Sequence, residues 1–408
     1  MLAALVVSLG LTAAAAAQGR IALRAHAADA GQLIRAHEIL APHGARAWRI
    51  VYRSTTGSGR RVDVSGMVVA PTGRVPLGGH NVVAWAHGTT GVTNECAPSM
   101  VADPAVNLVN YFSYQSPYGF DAGVPALTTF LRAGDVVVAT DYQGLGTPGK
   151  HQYTIGGTEA RNVLDSIRAA ERLKAAGAGD RTVILGWSQG GGAALWVAQD
   201  TSYAPDVEVL GSAALAPNAD LYNQFIGVVR TGPTDATAPS HLAALRVSAY
   251  VGMQAAYPSL RLSDVLQPQG LVALGGAHHQ CIEHLANTVL QTSINNGWGL
   301  DPTGHLFWPT LPPKPWRHAL KVNTPGYAPG AAPLLVMQGT ADTVIDPYAT
   351  AQYVRRACTF AEPVQYTTYA NQTHQTIPAA AQRQYVNWIA DRFAGRPAPT
   401  NCPGPGRP

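Results

Sequence analysis

Charged residues are scarce in this sequence, and their scarcity excludes several classes of protein. Asp, Glu, Lys and Arg make up 13% of the 408 residues, the formal net charge is +4, and no Lys/Arg run is long enough to follow a phosphate backbone. Nucleic acid is therefore not an expected partner. Hydrophobic residues make up 46%, which indicates a folded chain with a large buried core. The length predicts one large domain with a substantial insertion, or two domains.

The apolar N-terminus falls short of membrane-spanning length. The stretch MLAALVVSLGLTAAAAAQGR has fewer than the roughly 18 apolar residues that a span needs, and it ends in repeated alanines. Such a pattern is typical of the hydrophobic region and small-residue cleavage site of a secretory signal peptide. We predict a signal peptide over residues 1–17 and secretion to the extracellular space or the periplasm. A buried or membrane-spanning helix is the alternative.

Cysteine is scarce as well. The four cysteines have no CxxC spacing, so we expect no metal site: Cys96, Cys281, Cys358 and Cys402. An even number in an exported protein suggests two disulfides. Of the three possible pairings we favour Cys96 with Cys281 and Cys358 with Cys402, because the second would fasten a C-terminal tail that has nothing apolar to hold it. Four isolated buried thiols are the alternative.

Short apolar runs that end in glycine-rich loops are typical of buried parallel strands. Here such runs alternate with helical patterns, for example over residues 158–177, which indicates a doubly wound α/β sheet. The runs are NVVAWA, DVVVAT, RTVILGW, VEVLGSAALAP, PLLVMQG and PVQYTTYA. Ahead of them we predict a helix over residues 29–40 and a β-hairpin over residues 46–70.

The alternation of strands and helices stops near Pro217 and resumes at Pro333. We therefore predict the first part of the core over residues 18–217, a largely helical cap over 218–332, the second part of the core over 333–395 and a tail over 396–408. Aromatic residues of the cap are candidates for lining an acyl tunnel, or equally for packing the cap against the core: Tyr222, Phe225, Tyr250, Trp298, Phe307 and Trp308.

Ser188 lies in a G-x-S-x-G pattern between a strand-like and a helix-like run, TVILGWSQGGGAALWVAQ. The pattern alone is weak in a glycine-rich chain. An abrupt strand-to-helix turn, however, brings two backbones together and therefore needs glycine at Gly186 and Gly190. It also exposes the serine hydroxyl beside a helix N-terminus. We predict that Ser188 is a nucleophile; a structural turn is the alternative.

A serine nucleophile needs a histidine base and an orienting carboxylate, which in this fold follow in the order serine, acid, histidine. Asp342 follows an apolar strand and is the predicted acid. Asp346 is its rival, although its place before a proline favours a helix-cap role. His374 follows the next strand and is the only histidine beyond Asp342, so we predict that it is the base. Lesser candidates for lining the site are His87, His278, His279 and His305.

An acyl-transfer site also needs two backbone N–H donors for the developing oxyanion. One is expected from the residue after the nucleophile, which is Gln189. The loop AHGTTG, which ends an upstream strand, offers the second. We assign it to Thr89, and the neighbouring Gly88 and Thr90 are the alternatives.

Longer stretches of the sequence resemble the secretory lipases, a family that includes the yeast lipase-A type and actinobacterial exported esterases. The resemblance rests on AHGTTG followed by ECAPS, TDYQGLGTPGKHQYTIGGTEARNVLDSIRAA, GWSQGGGAA, GTADTVIDP and NQTHQT. It implies an α/β-hydrolase core with a helical cap, and hydrolysis of acylglycerols and other carboxylic esters. It also implies a Ser188, Asp342 and His374 triad and a Cys96–Cys281 disulfide that ties core to cap.

The sequence thus predicts a serine carboxylic-ester hydrolase that works through an acyl-enzyme on a small-molecule or lipid ester. A lipid–water interface is a candidate place of action, and we expect no metal, no organic cofactor and no obligate protein partner. A hydrolase of aromatic or polymeric esters is the first alternative. A serine peptidase is less favoured because no large N-terminal propeller is evident, and an inactive binding protein is less favoured because all three triad residues are present.

Overall fold

The computed structural model of this chain describes residues 29–107, 120, 123–226, 238–360 and 362–402. The predicted signal peptide, residues 18–28 of the predicted first core part and the end of the tail lie outside the described residues. So do the last three residues of LYNQFIGVV, a stretch of the predicted cap.

The described residues contain nine strands: β1 (Leu33–Ile39), β2 (Ala45–Thr55), β3 (Arg61–Pro71), β4 (His80–Ala86), β5 (Val136–Thr140), β6 (Ala178–Trp187), β7 (Glu208–Leu215), β8 (Leu334–Gly339) and β9 (Val364–Tyr369). They form one sheet in the order β1-β2-β3-β5-β4-β6-β7-β8-β9. The three pairings from β1 to β5 are antiparallel, and the five from β5 to β9 are parallel. The predicted, mostly parallel α/β sheet is confirmed.

The helix predicted over residues 29–40 is wrong. Residues Leu33–Ile39 form the edge strand β1, which pairs antiparallel with β2. The five residues between Leu33 and Ile39 are exposed, so burial of a helical face contributes nothing here. The free backbone edge of β2 instead supplies hydrogen-bond partners, and this tertiary pairing outweighs local helix propensity. The hairpin predicted over residues 46–70 is present as β2 and β3, paired without interruption from Ala45↔Pro71 to Thr55↔Arg61.

Helices cover both faces of the sheet, which explains why its central strands are continuously apolar. The helices are α1 (Pro104–Asn107), α2 (Leu127–Ala133), α3 (Gly156–Arg172), α4 (Gln189–Gln199), α5 (Leu221–Ile226), α6 (Ala238–Ala256), α7 (Pro268–Ala277), α8 (Ile282–Asn295), α9 (Thr303–Leu306), α10 (Lys314–Val322), α11 (Pro347–Cys358), α12 (Ile377–Ala380) and α13 (Gln382–Phe393). Neighbouring residues of one strand enter different cores: Ile184 packs with α3 and α4, whereas Leu185 packs with α2 and α13. Burial on both sides is the expected consequence of a doubly wound sheet.

Helices α5 to α10 lie between β7 and β8, the segment predicted to be a helical cap, and we call them the cap helices. Their longest members, α6 and α8, pack against each other. Within the described ranges, every helix is too short or too polar to cross a bilayer.

Two disulfides, Cys96–Cys281 and Cys358–Cys402, join distant parts of the chain. They are the two pairings favoured from the sequence. Cys281 directly precedes α8, so the first disulfide joins a cap helix to the loop after β4. The second holds the tail beside β9, where the backbone N–H of Asn401 donates to the carbonyl of Val364 at 3.0 Å.

Candidate active site

The turn between β6 and α4 holds Ser188 at a positive φ of +59°, with ψ −116°, a backbone conformation that is uncommon for a residue with a side chain. A Cβ on Gly186 would lie 2.0 Å from the carbonyl oxygen of Gly190, and one on Gly190 would lie 1.9 Å from that of Ala86. Both distances are far shorter than any van der Waals contact, so the turn tolerates only glycine at these two positions. The result is a hydroxyl that leaves the sheet at the N-terminus of α4.

Ser188, His374 and Asp342 form one hydrogen-bonded chain. The Nε2 atom of His374 lies 2.9 Å from the Oγ atom of Ser188, and its Nδ1 atom lies 2.8 Å from the Oδ2 atom of Asp342. Because a carboxylate only accepts, we place the imidazole proton on Nδ1, which leaves Nε2 to accept the serine proton. All three residues are buried, and Ser188 is the most exposed of them, at 8%.

Backbone and amide donors fix the Asp342 carboxylate. Its Oδ1 atom accepts the N–H groups of Val344 at 2.9 Å and Ile345 at 2.8 Å, and its Oδ2 atom accepts from the side chain of Gln338 at 3.0 Å. The loop after β8 therefore aims the carboxylate at His374, its one ion-pair partner among the described residues. The rival residue, Asp346, instead caps α11 by accepting the N–H of Tyr348 at 2.8 Å.

His374 is held from its other side by Trp187, the residue before the nucleophile. The indole N–H of Trp187 donates to the carbonyl of His374 at 3.0 Å, and the two rings lie 4.9 Å apart. Sequence reasoning assigned no role to this tryptophan. Its contacts keep the loop after β9 against the turn of Ser188.

The remaining candidate histidines lie away from this chain of hydrogen bonds. His87 is buried, with its Nδ1 atom 2.6 Å from the carbonyl of Gly88, and burial lowers its pKa. His305 stacks on Trp298 in the cap at 4.6 Å. His278 and His279 follow α7 at the surface.

The two predicted oxyanion residues line the same cavity as Ser188. Gln189 is the first residue of α4. Thr89 lies in the loop after β4, and its hydroxyl forms a 2.6 Å hydrogen bond with the hydroxyl of Tyr153. The adjacent Thr90 is fully buried, and its carbonyl accepts the N–H of Ile282 at 2.9 Å.

Comparison with known proteins decides the family. The profile described as Secretory lipase matches residues 120–401. The chain belongs to the secretory lipase family. No curated protein matches it in sequence.

Solved structures show the same fold at low sequence identity. Candida antarctica lipase A superposes with a TM-score of 0.71 and 18% identity, over 91% of this chain and 84% of that one. The rice cell wall degrading esterase LipA from Xanthomonas oryzae gives 0.68 and 18%, over 89% and 98%. A putative hydrolase from Legionella pneumophila gives 0.67 and 16%, over 87% and 90%. The fold is that of the α/β-hydrolases, and this member of the family is a carboxylic ester hydrolase.

A cavity of about 600 Å³ lies between the core and the cap helices and reaches Ser188. One face of α6 forms much of its wall, at a helical spacing of three to four residues: Pro239, Leu242, Ala243, Leu245, Arg246 and Ala249. Of the six cap aromatics singled out from the sequence, Phe225 and Phe307 line it. The guanidinium of Arg246 stacks over Phe307 at 4.4 Å.

Tyr250, by contrast, packs inside the cap. Tyr250 is fully buried and contacts Phe225 and Trp316 edge to face at 5.2 and 5.1 Å. Tyr222, Trp298 and Trp308 are not among the described residues that line the cavity. The indole N–H of Trp308, for example, donates to the carbonyl of Ser263 at 3.0 Å. Phe225 and Phe307 thus line the cavity, whereas these contacts of Tyr250 and Trp308 lie within the cap.

Sequence reasoning also missed a buried polar group behind the nucleophile. Glu159, in the first turn of α3, accepts from the side chain of Gln189 at 2.8 Å, and burial raises its pKa to about 7. His151 lies on the other side of the same amide, and burial lowers its pKa to about 4. The only sequence signal was their place inside the specific stretch GKHQYTIGGTEARN.

Proposed function

We propose that this chain is a secreted serine hydrolase of carboxylic esters in which Ser188 is the nucleophile, His374 the general base and Asp342 the orienting acid. The observation that carries the proposal is the unbroken chain of hydrogen bonds from the Ser188 hydroxyl through His374 to the buried Asp342 carboxylate. These are the contacts by which a base removes the serine proton and a carboxylate stabilises the resulting imidazolium.

In the first half of the reaction, the Oγ atom of Ser188 forms a bond to the ester carbonyl carbon while its proton moves to Nε2 of His374. The carbonyl oxygen becomes an oxyanion, for which backbone N–H groups of Gln189 and Thr89 are the proposed donors. The carbon–oxygen bond to the alcohol then breaks, and His374 returns the proton to the leaving alkoxide. An acyl-serine remains.

In the second half, water replaces the alcohol. His374 removes a proton from the water, whose oxygen bonds to the acyl carbon. The bond to Ser188 then breaks, the serine oxygen recovers its proton from His374, and the carboxylic acid leaves. No redox partner or metal enters the balance of either half.

The test is the hydrolysis of a p-nitrophenyl ester by Ser188→Ala. We expect kcat to fall by ~10⁴-fold or more, and a fluorophosphonate probe to label the wild type but not the variant. Ser166→Ala is a matched control, because Ser166 is also buried and its hydroxyl donates to the carbonyl of Val163 on the same helix. Full activity in Ser188→Ala, or a label on another residue, would refute the nucleophile.

The proposed substrates are acylglycerols and other lipid esters, bound with the acyl group in the cavity between core and cap. A volume of about 600 Å³ is ordinary for a site that encloses a small organic ligand, and α6 gives it a largely apolar wall. A chain-length series of p-nitrophenyl esters, an emulsified triacylglycerol and a polyester film would separate lipase, esterase and polyester hydrolase. A p-nitroanilide in the same series tests the peptidase alternative.

Secretion and the division into core and cap belong to the same proposal. The N-terminal apolar and alanine-rich segment and two disulfides support export, because disulfides persist chiefly in oxidising compartments. N-terminal sequencing of exported protein that begins near Gln18 would support the predicted cleavage. The cap is proposed to span residues 218–332, between the core segments 18–217 and 333–395, with the tail at 396–408.

A further inference from the structure

A buried carboxylate without a cationic partner lies directly behind the nucleophile. Glu159 is 3% exposed, and no Arg or Lys among the described residues forms an ion pair with it. Its Oε1 atom accepts two N–H groups at 2.8 Å, one from the side chain of Gln189 and one from the backbone of Thr154. Burying a carboxylate without a cationic partner costs free energy. The presence of Glu159 at this position therefore needs an explanation, and its two hydrogen bonds suggest one.

The first bond comes from the side chain of Gln189, the residue after the nucleophile. The amide nitrogen of Gln189 lies between Oε1 of Glu159 at 2.8 Å and Nε2 of His151 at 3.2 Å. The Nδ1 atom of His151 lies 2.7 Å from the carbonyl of Gln143 and must donate to it, which leaves Nε2 as an acceptor. The side chain of Gln189 is thus held from two sides, and so is the first turn of α4.

The second bond, from the backbone N–H of Thr154, leads through the neighbouring Tyr153 to Thr89, the other proposed oxyanion residue. Thr154 has a left-handed φ of +64°, which is uncommon for a β-branched residue and needs support from its surroundings. The bond from its N–H to Glu159 provides that support. The preceding residue, Tyr153, forms the 2.6 Å hydrogen bond with the hydroxyl of Thr89. Glu159 therefore connects to both proposed oxyanion residues.

We propose that Glu159 is a positioning residue, whose single carboxylate oxygen fixes the spacing between the oxyanion donors of Gln189 and Thr89. The inference deepens the proposed function and rests on it. Donors of this kind act on charge that develops only in the transition state, so their placement controls kcat and leaves ground-state binding unchanged. An error of about 1 Å in such placement costs on the order of a hundredfold in rate.

The test compares Glu159→Ala with Glu159→Gln. Alanine removes the acceptor, and we expect kcat to fall on the order of a hundredfold with KM unchanged. Glutamine keeps a carbonyl oxygen for the same two N–H groups, so kcat should stay within about threefold of the wild type. Affinity for a boronic acid, which mimics the tetrahedral intermediate, should fall in Glu159→Ala by the same factor as kcat/KM.

Asp165→Ala is the matched control. Asp165 lies on the same helix, is fully buried, and accepts from Ser54 at 2.7 Å, Tyr203 at 2.8 Å and Arg168 at 3.0 Å, away from the nucleophile. Burial raises the pKa of Asp165 to about 6, so it is also a buried acid. We expect its loss to lower the melting temperature and to leave kcat and boronate affinity within about twofold of the wild type.

Gln189→Leu covers the case in which Glu159→Ala does not fold, because it removes the same amide bond and keeps the backbone N–H. Its kcat should fall with KM unchanged. Unchanged kcat in a folded Glu159→Ala or Gln189→Leu would overturn the proposal, as would an equal kcat loss in Asp165→Ala. Wild type that hydrolyses no ester, or a Ser188→Ala variant that retains activity, would refute the proposed function instead.

Discussion

The cavity has two walls that differ in what fixes their side chains. On the core side, Ser188, Thr89 and Tyr153 each carry a side-chain hydrogen bond, and they come from loops and turns that follow the strands of a buried sheet. On the cap side, the face of α6 and two aromatic rings offer mostly apolar contact, although Arg246, the one cation among the described lining residues, and the polar Gln224, Asp301 and Thr303 also reach the cavity. Hydrogen bonds fix atoms to a few tenths of an ångström, whereas apolar walls mainly fix volume. Changes on the core side should therefore alter the rate for every ester, and changes on the cap side should alter which ester is preferred.

The largest effect is expected from Asp342→Asn on the core side. The asparagine oxygen can keep the bonds to the backbone of Val344 and Ile345, but its NH₂ group would then face Nδ1 of His374. That contact favours the wrong imidazole tautomer, and kcat should fall on the order of 10⁴-fold.

Asp346→Asn, measured in the same assay, tests whether Asp346 rather than Asp342 is the acid of the triad. Asparagine caps a helix about as well as aspartate, so the cap of α11 should persist and kcat should stay near that of the wild type. A larger loss in Asp346→Asn than in Asp342→Asn would assign the acid to Asp346.

An intermediate effect on kcat is expected from removing the Cys96–Cys281 disulfide, which joins the cap to the core. Cys281 is bonded to Cys96, pairs with Gly91 in a β-bridge and precedes Ile282, whose N–H binds the carbonyl of Thr90. In Cys96→Ser/Cys281→Ser, the cap loses a covalent link beside the loop of Thr89. We expect a loss of about 2–4 kcal/mol in the free energy of unfolding, and a fall in kcat on the order of tenfold.

Cys358→Ser/Cys402→Ser is the matched control for that prediction. It removes a disulfide between α11 and the tail, far along the chain from the loop of Thr89. Stability should fall by a comparable amount, on the order of 2–4 kcal/mol, while kcat at a temperature where both variants are folded stays unchanged. Equal kcat in the two double variants would show that the Cys96–Cys281 link does not position the loop.

Residues of the core were unequally visible in the sequence. The order of Ser188, Asp342 and His374 along the chain, each after an apolar strand, singled out three residues of which His374 lies within hydrogen-bonding distance of the other two, and their roles stay a prediction. Glu159 was not visible, because an acidic residue in the first turn of a helix is usually a solvated partner of the helix dipole. Its burial depends on how α3 packs behind α4, which no local pattern reports. The edge strand β1 was missed for the same reason, since its pairing with β2 is a tertiary contact.

The smallest effect on rate, and the clearest effect on preference, is expected from Leu242 on the cap side. Leu242 is a half-buried residue on the cavity face of α6. Leu242→Ala enlarges the cavity and Leu242→Trp fills it, so the ratio of kcat/KM for long and short acyl esters should move in opposite directions. Each methylene gained or lost in contact is worth about 0.8 kcal/mol, or roughly fourfold in that ratio.

Val272→Ala is the control. Val272 is a cap residue that is 76% exposed and is not among the residues that line the cavity, so its substitution should leave the ratio unchanged. If both Leu242 variants change kcat for all esters equally, the cap wall sets rate as well as preference, and the contrast between the two walls fails.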